Sequence, residues 1–538
     1  MSEQTSMSEQ RERRSTVAPW WVDGVIYQIY PRSFADANGD GIGDLRGVTR
    51  HLDHLEWLGV DAIWLNPITV SPNKDWGYDV ADYCDVGTSL GTLADFDELV
   101  AAAAERNIGV LMDLVPNHSS DQHPWFLDSR SSRDAAHRDW YVWADGDPPG
   151  DPNGALPNNW QSSFGGPAWS FDEVTGQWYL HHFVPEQPDL NWWNPDLVEE
   201  FDRILRFWFD RGAAGFRIDV CHMIVKDKEL RDNPPVDFWI DHEAERMNAE
   251  RPELHDVLRR WRRRAETYDP PRLLLGETYV ASPARLAPFY GEGDELQLAF
   301  NFPFFRAPFH AEPLRRFVDD TEAALPPGAW PVWTGSNHDH SRFPTRWAQN
   351  DPRRVRLGML MLLSLRGTPV LYYGDEIGMV DTPISHSQLQ DPVGFRSWPV
   401  LDGRDIARTP MQWRGGPGAG FTGADVATWL PIGDNDGRNV ADQRDDPDST
   451  LTFCRAVLAL RHEREDLRRG EYRPLDAPEG AWVFARGDGT TVALNLSAAA
   501  QAVTVPDGRL LLSTIRPSGD AVGPELRLAP WEGVVVGV

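Results

Sequence analysis

The 538-residue chain carries 52 Lys plus Arg against 82 Asp plus Glu, a formal net charge of -30, which excludes nucleic acid and membrane as expected partners and favours a small neutral or cationic molecule. Three scattered cysteines, Cys84, Cys221 and Cys454, form neither a disulfide framework nor a zinc-ligand spacing. A polar, charged start with no apolar h-region, and no later stretch of membrane-spanning length, point to a cytoplasmic protein with a disordered tail over residues 1–18.

From residue 25 onward, short apolar runs that end in polar residues alternate with helical patterns. The predicted strands are VIYQIYP (25–31), DAIWLNP (61–67), IGVLMDLVPNH (108–118), GFRIDV (215–220), RLLLGE (272–277), LQLAFNF (296–302), PVWTGSNHD (331–339) and TPVLYYGDE (368–376). Between them lie amphipathic stretches such as DLRGVTRHLDHLEWLG (44–59) and LADFDELVAAAAERN (93–107). This alternation predicts an α/β fold, a (β/α)8 TIM barrel built from 19–118 and 196–463. The gap at 119–195, rich in Trp, Gly, Pro and Asn, is too long for a βα loop and reads as an inserted subdomain after the third strand. A second irregular stretch, 378–440, could wall a cleft. Alternating segments such as AWVFAR, TTVALNL and GRLLLSTI place a C-terminal antiparallel β domain at 464–538. The 24 Trp residues read mostly as core, and the run RRWRRRAE (259–266) as a solvated helix face.

Polar residues gather at the carboxyl ends of the predicted strands, the catalytic face of such a barrel. Asp113, Asn117 and His118 close the third strand, Arg217 and Asp219 the fourth, Glu277 the fifth, and His338 with Asp339 the seventh. Glycoside cleavage with retention requires a carboxylate to attack the anomeric carbon and a carboxylic acid to protonate the leaving oxygen, about 5–5.5 Å apart. Asp219 and Glu277 occupy adjacent strand ends, with Asp339 across the mouth. Arg217, two residues before Asp219, shares its strand face and is expected to hold that carboxylate ionised. Crowding by the other carboxylates is expected to keep a proton on Glu277.

Four strings in order, DLVPNH (113–118), GFRIDVCHM (215–223), GETY (276–279) and SNHDHSR (336–342), resemble the motifs of the alpha-amylase family of glycoside hydrolases. The resemblance implies Asp219 as nucleophile, Glu277 as acid/base and Asp339 as a transition-state-stabilising carboxylate, with His118, Arg217 and His338 contacting the glucose. QPDLNWWNP (187–195), WGYDVADY (76–83) and ARTPMQW (407–413) are similar to the oligo-1,6-glucosidase and alpha-glucosidase branch. There, Asp79 and an arginine matched to Arg408, with Arg404 as the alternative, would close the pocket around the terminal glucose. Phe164 and Phe183 match positions from which the inserted subdomain lines it. Val220, next to the nucleophile, resembles the α-1,6 type.

The string DANGDGIGD (36–44) sets Asp36, Asn38, Asp40, the Ile42 carbonyl and Asp44 at alternate positions, a spacing suited to a hard cation. It resembles the structural calcium or magnesium loop of that branch; no cofactor is expected for the chemistry. The functional expectation is a retaining, exo-acting alpha-glucosidase acting on short oligosaccharides or alpha-glucosides as a monomer or homodimer. A glucosyl-transferring enzyme or sucrose isomerase on the same scaffold is the nearest alternative, and a non-catalytic amylase-like transporter subunit the most distant.

Overall fold

The computed structural model describes residues 19–235, 246–400 and 403–538. The tail expected over 1–18 lies outside the described residues. Eight parallel strands, one inside each predicted segment, form a single sheet: β1 (Ile26–Ile29), β2 (Ala62–Leu65), β3 (Gly109–Leu114), β4 (Gly215–Ile218), β5 (Leu273–Gly276), β6 (Leu298–Ala299), β7 (Val332–Thr334) and β8 (Thr368–Tyr372). Their order is β6-β5-β4-β3-β2-β1-β8-β7, and a parallel bridge between Phe300 and Val332 brings the two ends together. The strands are buried on both faces nearly throughout, because helices cover the outside and side chains fill the inside. Gly215 starts β4 opposite Leu273; a Cβ there would stand 2.3 Å from the Leu273 carbonyl oxygen, so the close approach of β4 and β5 depends on glycine.

Local signals set the helix boundaries. Thr92 and Asp95 form a capping box on Leu93–Glu105, and Asn194 caps Pro195–Asp210, with proline at its first position. The amphipathic stretch 44–59 is two helices, Leu45–Arg50 and Leu52–Leu58, instead of one. The break falls at His51, whose Nδ1 lies 2.8 Å from the Gly47 carbonyl and whose ring stacks on Trp413 at 3.9 Å. In the helix Leu254–Ala265, Trp261 is buried while Arg259, Arg260 and Arg262 pair with Glu295, Asp202 and Glu266.

The stretch between β3 and Pro195 carries a three-stranded antiparallel sheet, with Gln177–Leu180 between Trp143–Ala144 and Trp169–Asp172. A buried ion cluster ties this insert to the barrel. Asp189 receives His182 Nδ1 at 2.6 Å and Lys226 Nζ at 2.8 Å, and Lys226 also reaches Asn117 Oδ1 at 2.7 Å. After the helices Thr450–Glu463 and Glu465–Arg469, the chain ends in a six-stranded antiparallel sheet and a two-stranded one.

The 36–44 loop is a set of side-chain-to-backbone turns. Asp36 Oδ1 accepts the amides of Asn38 and Gly39, Asp36 Oδ2 those of Gly41 and the Thr422 hydroxyl, and Asp40 Oδ1 that of Ile42. Asp44 accepts from Gly47 at 2.7 Å as the cap of Leu45–Arg50 and from Ala37 at 3.0 Å. Among the described residues no three His, Cys, Asp or Glu side chains converge on a metal position. These hydrogen bonds hold the loop's carboxylates against its own backbone. No helix among the described residues is long and apolar enough to cross a membrane.

Asp189 fixes the insert against the barrel. Burial opposes its charge, but Lys226 and His182 outweigh that and hold its carboxyl far below the usual range. Its stabilisation is therefore present above about pH 4 and lost as the pH falls. Asp189→Ala strands a buried lysine, an expected loss of about 3–5 kcal/mol, visible as a lower Tm and earlier proteolysis within 119–195; an unchanged melting curve would contradict this assignment.

Candidate active site

The carboxyl ends of the barrel strands open into a cavity of about 620 Å³. Asp219 follows β4, Glu277 follows β5 and Asp339 stands beyond β7; all three line this cavity. Tyr78 and Asp75 enter from the loop after β2, Phe164 and Phe183 from the insert, and Val393 and Arg404 from the stretch after β8. The aromatic walls are Tyr78, Tyr279, Phe164 and Phe183, with no tryptophan among the described lining residues. The Phe164 and Phe183 rings meet edge to face at 5.3 Å.

Arg217 lies behind this lining, 1% exposed. Its Nη1 donates to Asp113 Oδ1 and to Asp219 Oδ1, both at 2.8 Å, and its Nη2 reaches Glu277 Oε2 at 2.6 Å. Three buried carboxylates thus share one guanidinium. Arg217 thus meets Asp219, as their shared strand face implies, and divides its charge with Asp113 and Glu277 as well. Burial pushes Asp219 well above the usual carboxylate range; Arg217 opposes this, while Glu277, Asp113 and Asp339 add to it. Glu277 is raised by burial, against Arg217 and with the push of Asp339. Asp113 is pushed up to about 7, chiefly by burial. Three buried carboxylates around one cation are each biased toward the protonated form, and groups this close titrate together.

Asp339 is the opposite case. Burial disfavours its charge, yet His338, Arg404 and Arg408 hold it well below the usual range. Arg408 Nη2 donates to Asp339 Oδ1 at 2.8 Å and Arg404 Nη1 to the same oxygen at 3.4 Å. One edge of the cavity therefore favours an anion beside a cluster biased toward protonation.

The far end of the cavity departs from expectation. Asp79 is fully buried, and its oxygens accept from the amides of Lys74 and Asp75 and the Ser71 hydroxyl, at 2.7–3.0 Å. It shapes the loop from behind, and burial raises it to about 6. Asp75 stands at the surface of the cavity instead, with Oδ1 2.5 Å from Arg404 Nη2. Arg404 is anchored by Asp391 at 2.6 Å and lies over the Phe164 ring at 4.9 Å. The Asp79–Arg408 pair is thus replaced by Asp75 and Arg404, because Asp79 is used up by its own loop and Arg408 donates to Asp339 and the His338 carbonyl.

His118 lines the cavity, with Nε2 3.0 Å from the Tyr78 carbonyl, and burial lowers it to about 4, so it is neutral. His338 stands one layer back, its ring stacked on Tyr78 at 5.4 Å. Gln28 Nε2 donates to its Nδ1 at 2.9 Å, which leaves Nε2–H to face the Tyr78 hydroxyl at 2.7 Å. The Tyr78 hydroxyl in turn donates to Asp113 Oδ2 at 3.1 Å. Tyr78 and Asp75 thus belong to the site without having been assigned to it from the sequence, while Asp113, expected at the catalytic face, is joined there to Arg217 and Tyr78. Asp75 precedes the WGYD string and Tyr78 lies within it, but the string's own carboxylate, Asp79, drew the assignment.

Comparisons with known proteins agree with this geometry. Residues 28–470 match the family described as alpha amylase, catalytic domain, and residues 467–535 a domain of unknown function. A probable alpha-glucosidase of Rhizobium meliloti is 42% identical across 87% of both chains. An oligo-1,6-glucosidase of Parageobacillus thermoglucosidasius is 35% identical across 96% of this chain and 98% of its own. Among solved structures, an alpha-glucosyl transfer enzyme, XgtA, superposes with a TM-score of 0.89 at 39% identity, covering 97% of this chain and 100% of that one. The trehalulose synthase MutB from Pseudomonas mesoacidophila also gives 0.89, at 35% identity with the same coverage.

Exchanging the two aspartates separates their places. Asp75→Ala should lower kcat/KM by roughly 10²-fold or more, about 3 kcal/mol of lost transition-state binding, with a nearly native Tm. Asp79→Ala should act first on Tm. Equal kinetic losses at equal Tm would overturn the distinction.

Proposed function

The chain belongs to the alpha-amylase family, and from that premise we propose that it is a retaining, exo-acting alpha-glucosidase that releases glucose from the non-reducing end of short alpha-glucosides. The observation that supports this reading is one cavity lined by the Asp75–Arg404 pair together with Asp219, Glu277 and Asp339. If that pair closes the cavity, as the family resemblance implies of an aspartate and an arginine, one terminal ring enters and the rest of the substrate stays outside. The three carboxylates argue against a non-catalytic transporter subunit.

In this mechanism the singly protonated cluster is the active form, with the proton on Glu277. Glu277 gives it to the glycosidic oxygen as the C1–O bond breaks, the bonding pair leaving with that oxygen as an alcohol. Asp219 bonds to C1, and Glu277 then takes a proton from the water or sugar hydroxyl that displaces Asp219. Asp339, held ionised by His338 and two arginines, receives the ring hydroxyls and stabilises positive charge at C1. Neutral His118 and the Tyr78 ring would contact the same sugar.

Transfer in place of hydrolysis is the second reading, favoured by the likeness to XgtA and MutB. The two differ only in which hydroxyl reaches C1. Time-resolved product analysis on maltose, isomaltose, sucrose and trehalose, each at low and high concentration, tests the choice. Release of α-glucose from the non-reducing end supports hydrolysis, and isomers or longer sugars dominating at low concentration would make the protein a transferase or isomerase. A structural calcium or magnesium ion on the 36–44 loop is a separate proposal, supported by the Asp and Asn spacing; a Tm indifferent to chelator and to added ion would remove it.

Asp219→Ala should lower kcat by about 10⁴-fold or more, as removal of a nucleophile does. Near-normal turnover would refute its role. Glu277→Gln should cost about 10²–10⁴-fold on disaccharides and much less on aryl glucosides whose leaving group needs no proton; equal losses would speak against an acid. Because burial and neighbouring carboxylates raise Asp219, kcat/KM should fall on the acid side above the ordinary carboxylate value of about 4. Undiminished activity at pH 3 would contradict that sign.

A further inference from the structure

Val220, directly after Asp219, has φ 33° and ψ 46°, a left-handed conformation that is an outlier for a β-branched residue because its Cβ crowds the backbone. Its surroundings show what this bend achieves. The Asp219 amide still donates to the Leu114 carbonyl at 2.8 Å, continuing the β3–β4 ladder. The next two amides both turn to one residue on the neighbouring strand: Val220 N–H donates to Glu277 Oε2 at 2.8 Å and Cys221 N–H to the Glu277 carbonyl at 2.9 Å. In an extended strand, successive amides point to opposite sides, so two in a row cannot bind the same neighbour without such a bend.

We propose that Val220 is a positioning residue whose left-handed backbone holds Glu277 through its amide and reserves Glu277 Oε1 for the catalytic proton. Oε2 accepts this amide and lies 2.6 Å from Arg217 Nη2 in an ion pair, so a donor and a positive charge already face it. A proton placed there would meet the Val220 N–H and the Arg217 guanidinium; Oε1 is the oxygen left to carry it. The Val220 side chain meanwhile packs with Met223, Ala249 and Phe183 at the cavity wall. One residue thus combines a substrate-facing side chain with a backbone donor for the acid. Glycine would take the bend without strain but supply no wall, which accounts for a strained valine persisting where the surroundings over-determine it.

The inference rests on Glu277 being the acid, and the test keeps the two separable. Wild type is first measured on maltose, isomaltose and an aryl α-glucoside; failure to cleave any of them sinks the functional reading itself. Val220 is then replaced by its α-hydroxy acid through nonsense suppression, which removes the N–H and keeps the side chain. Losing a donor to the carboxylate favours its protonated form, so the basic limb of kcat/KM should move up by about half a pH unit or more. The loss on disaccharides should exceed that on the aryl glucoside by about tenfold, because a displaced acid matters least where the leaving group needs no proton. Val220→Gly keeps the N–H and permits the bend; its KM and linkage ranking should change while its basic limb stays within about 0.2 units of wild type. An unshifted limb with equal losses in the ester variant overturns the proposal. If the ester variant does not fold, the glycine variant decides: a preserved limb supports a backbone role, and a displaced one refutes it.

Discussion

The site depends on one guanidinium shared by too many carboxylates. Arg217 rises from the interior of the barrel and bonds to Asp113, Asp219 and Glu277 at once. Isolated ionised carboxylates cannot be kept out of water at tolerable cost. One cation among three anions sets an intermediate condition in which the group is stable and still holds a proton. The proposed division of Glu277 as acid and Asp219 as nucleophile draws on that state.

The surrounding parts preserve this balance. Tyr78 links Asp113 to His338, and Trp64 donates to the same Asp113 oxygen at 3.2 Å. Asp339 takes its positive charge from Arg404 and Arg408, so it draws nothing from Arg217. The insert and the stretch after β8 supply the phenylalanines, Asp75's partner and Val393 to the cavity lining. The barrel fixes positions to within hydrogen-bonding distance; the two irregular segments decide what can enter.

Much of this was legible because a parallel barrel writes its chemistry at strand ends. All eight strands lie inside segments read from apolar runs alone, and Asp219, Glu277 and Asp339 reach one cavity because β4, β5 and β7 end at the same face. The errors concern side chains whose partners are remote in sequence. Asp79 and Asp75 look alike in a string of residues; only the fold shows that Asp79 is bound by its own loop while Asp75 meets an arginine more than 300 residues away. Arg217 meets Asp219 as expected, but its contacts with Asp113 and Glu277 were not foreseen, because spacing by two reveals a shared strand face and is blind to strands on either side. The break at His51 was hidden for the same reason, since it follows from contact with Trp413. The left-handed turn at Val220 leaves no trace in composition, where valine after aspartate looks like more strand.

The central claim, that the Arg217 cluster makes Asp219 the nucleophile, is tested most directly by trapping the covalent intermediate. An α-glucosyl fluoride bearing fluorine at C5 loses fluoride to the attacking carboxylate without needing an acid, and the second fluorine slows release of the sugar. Peptide mass mapping of the inactivated enzyme should find the fluoroglucosyl group on the segment containing Gly215–Ile218 and Asp219, attached to Asp219. Attachment to Glu277, Asp339 or Asp113, or inactivation with no sugar bound, would contradict the account.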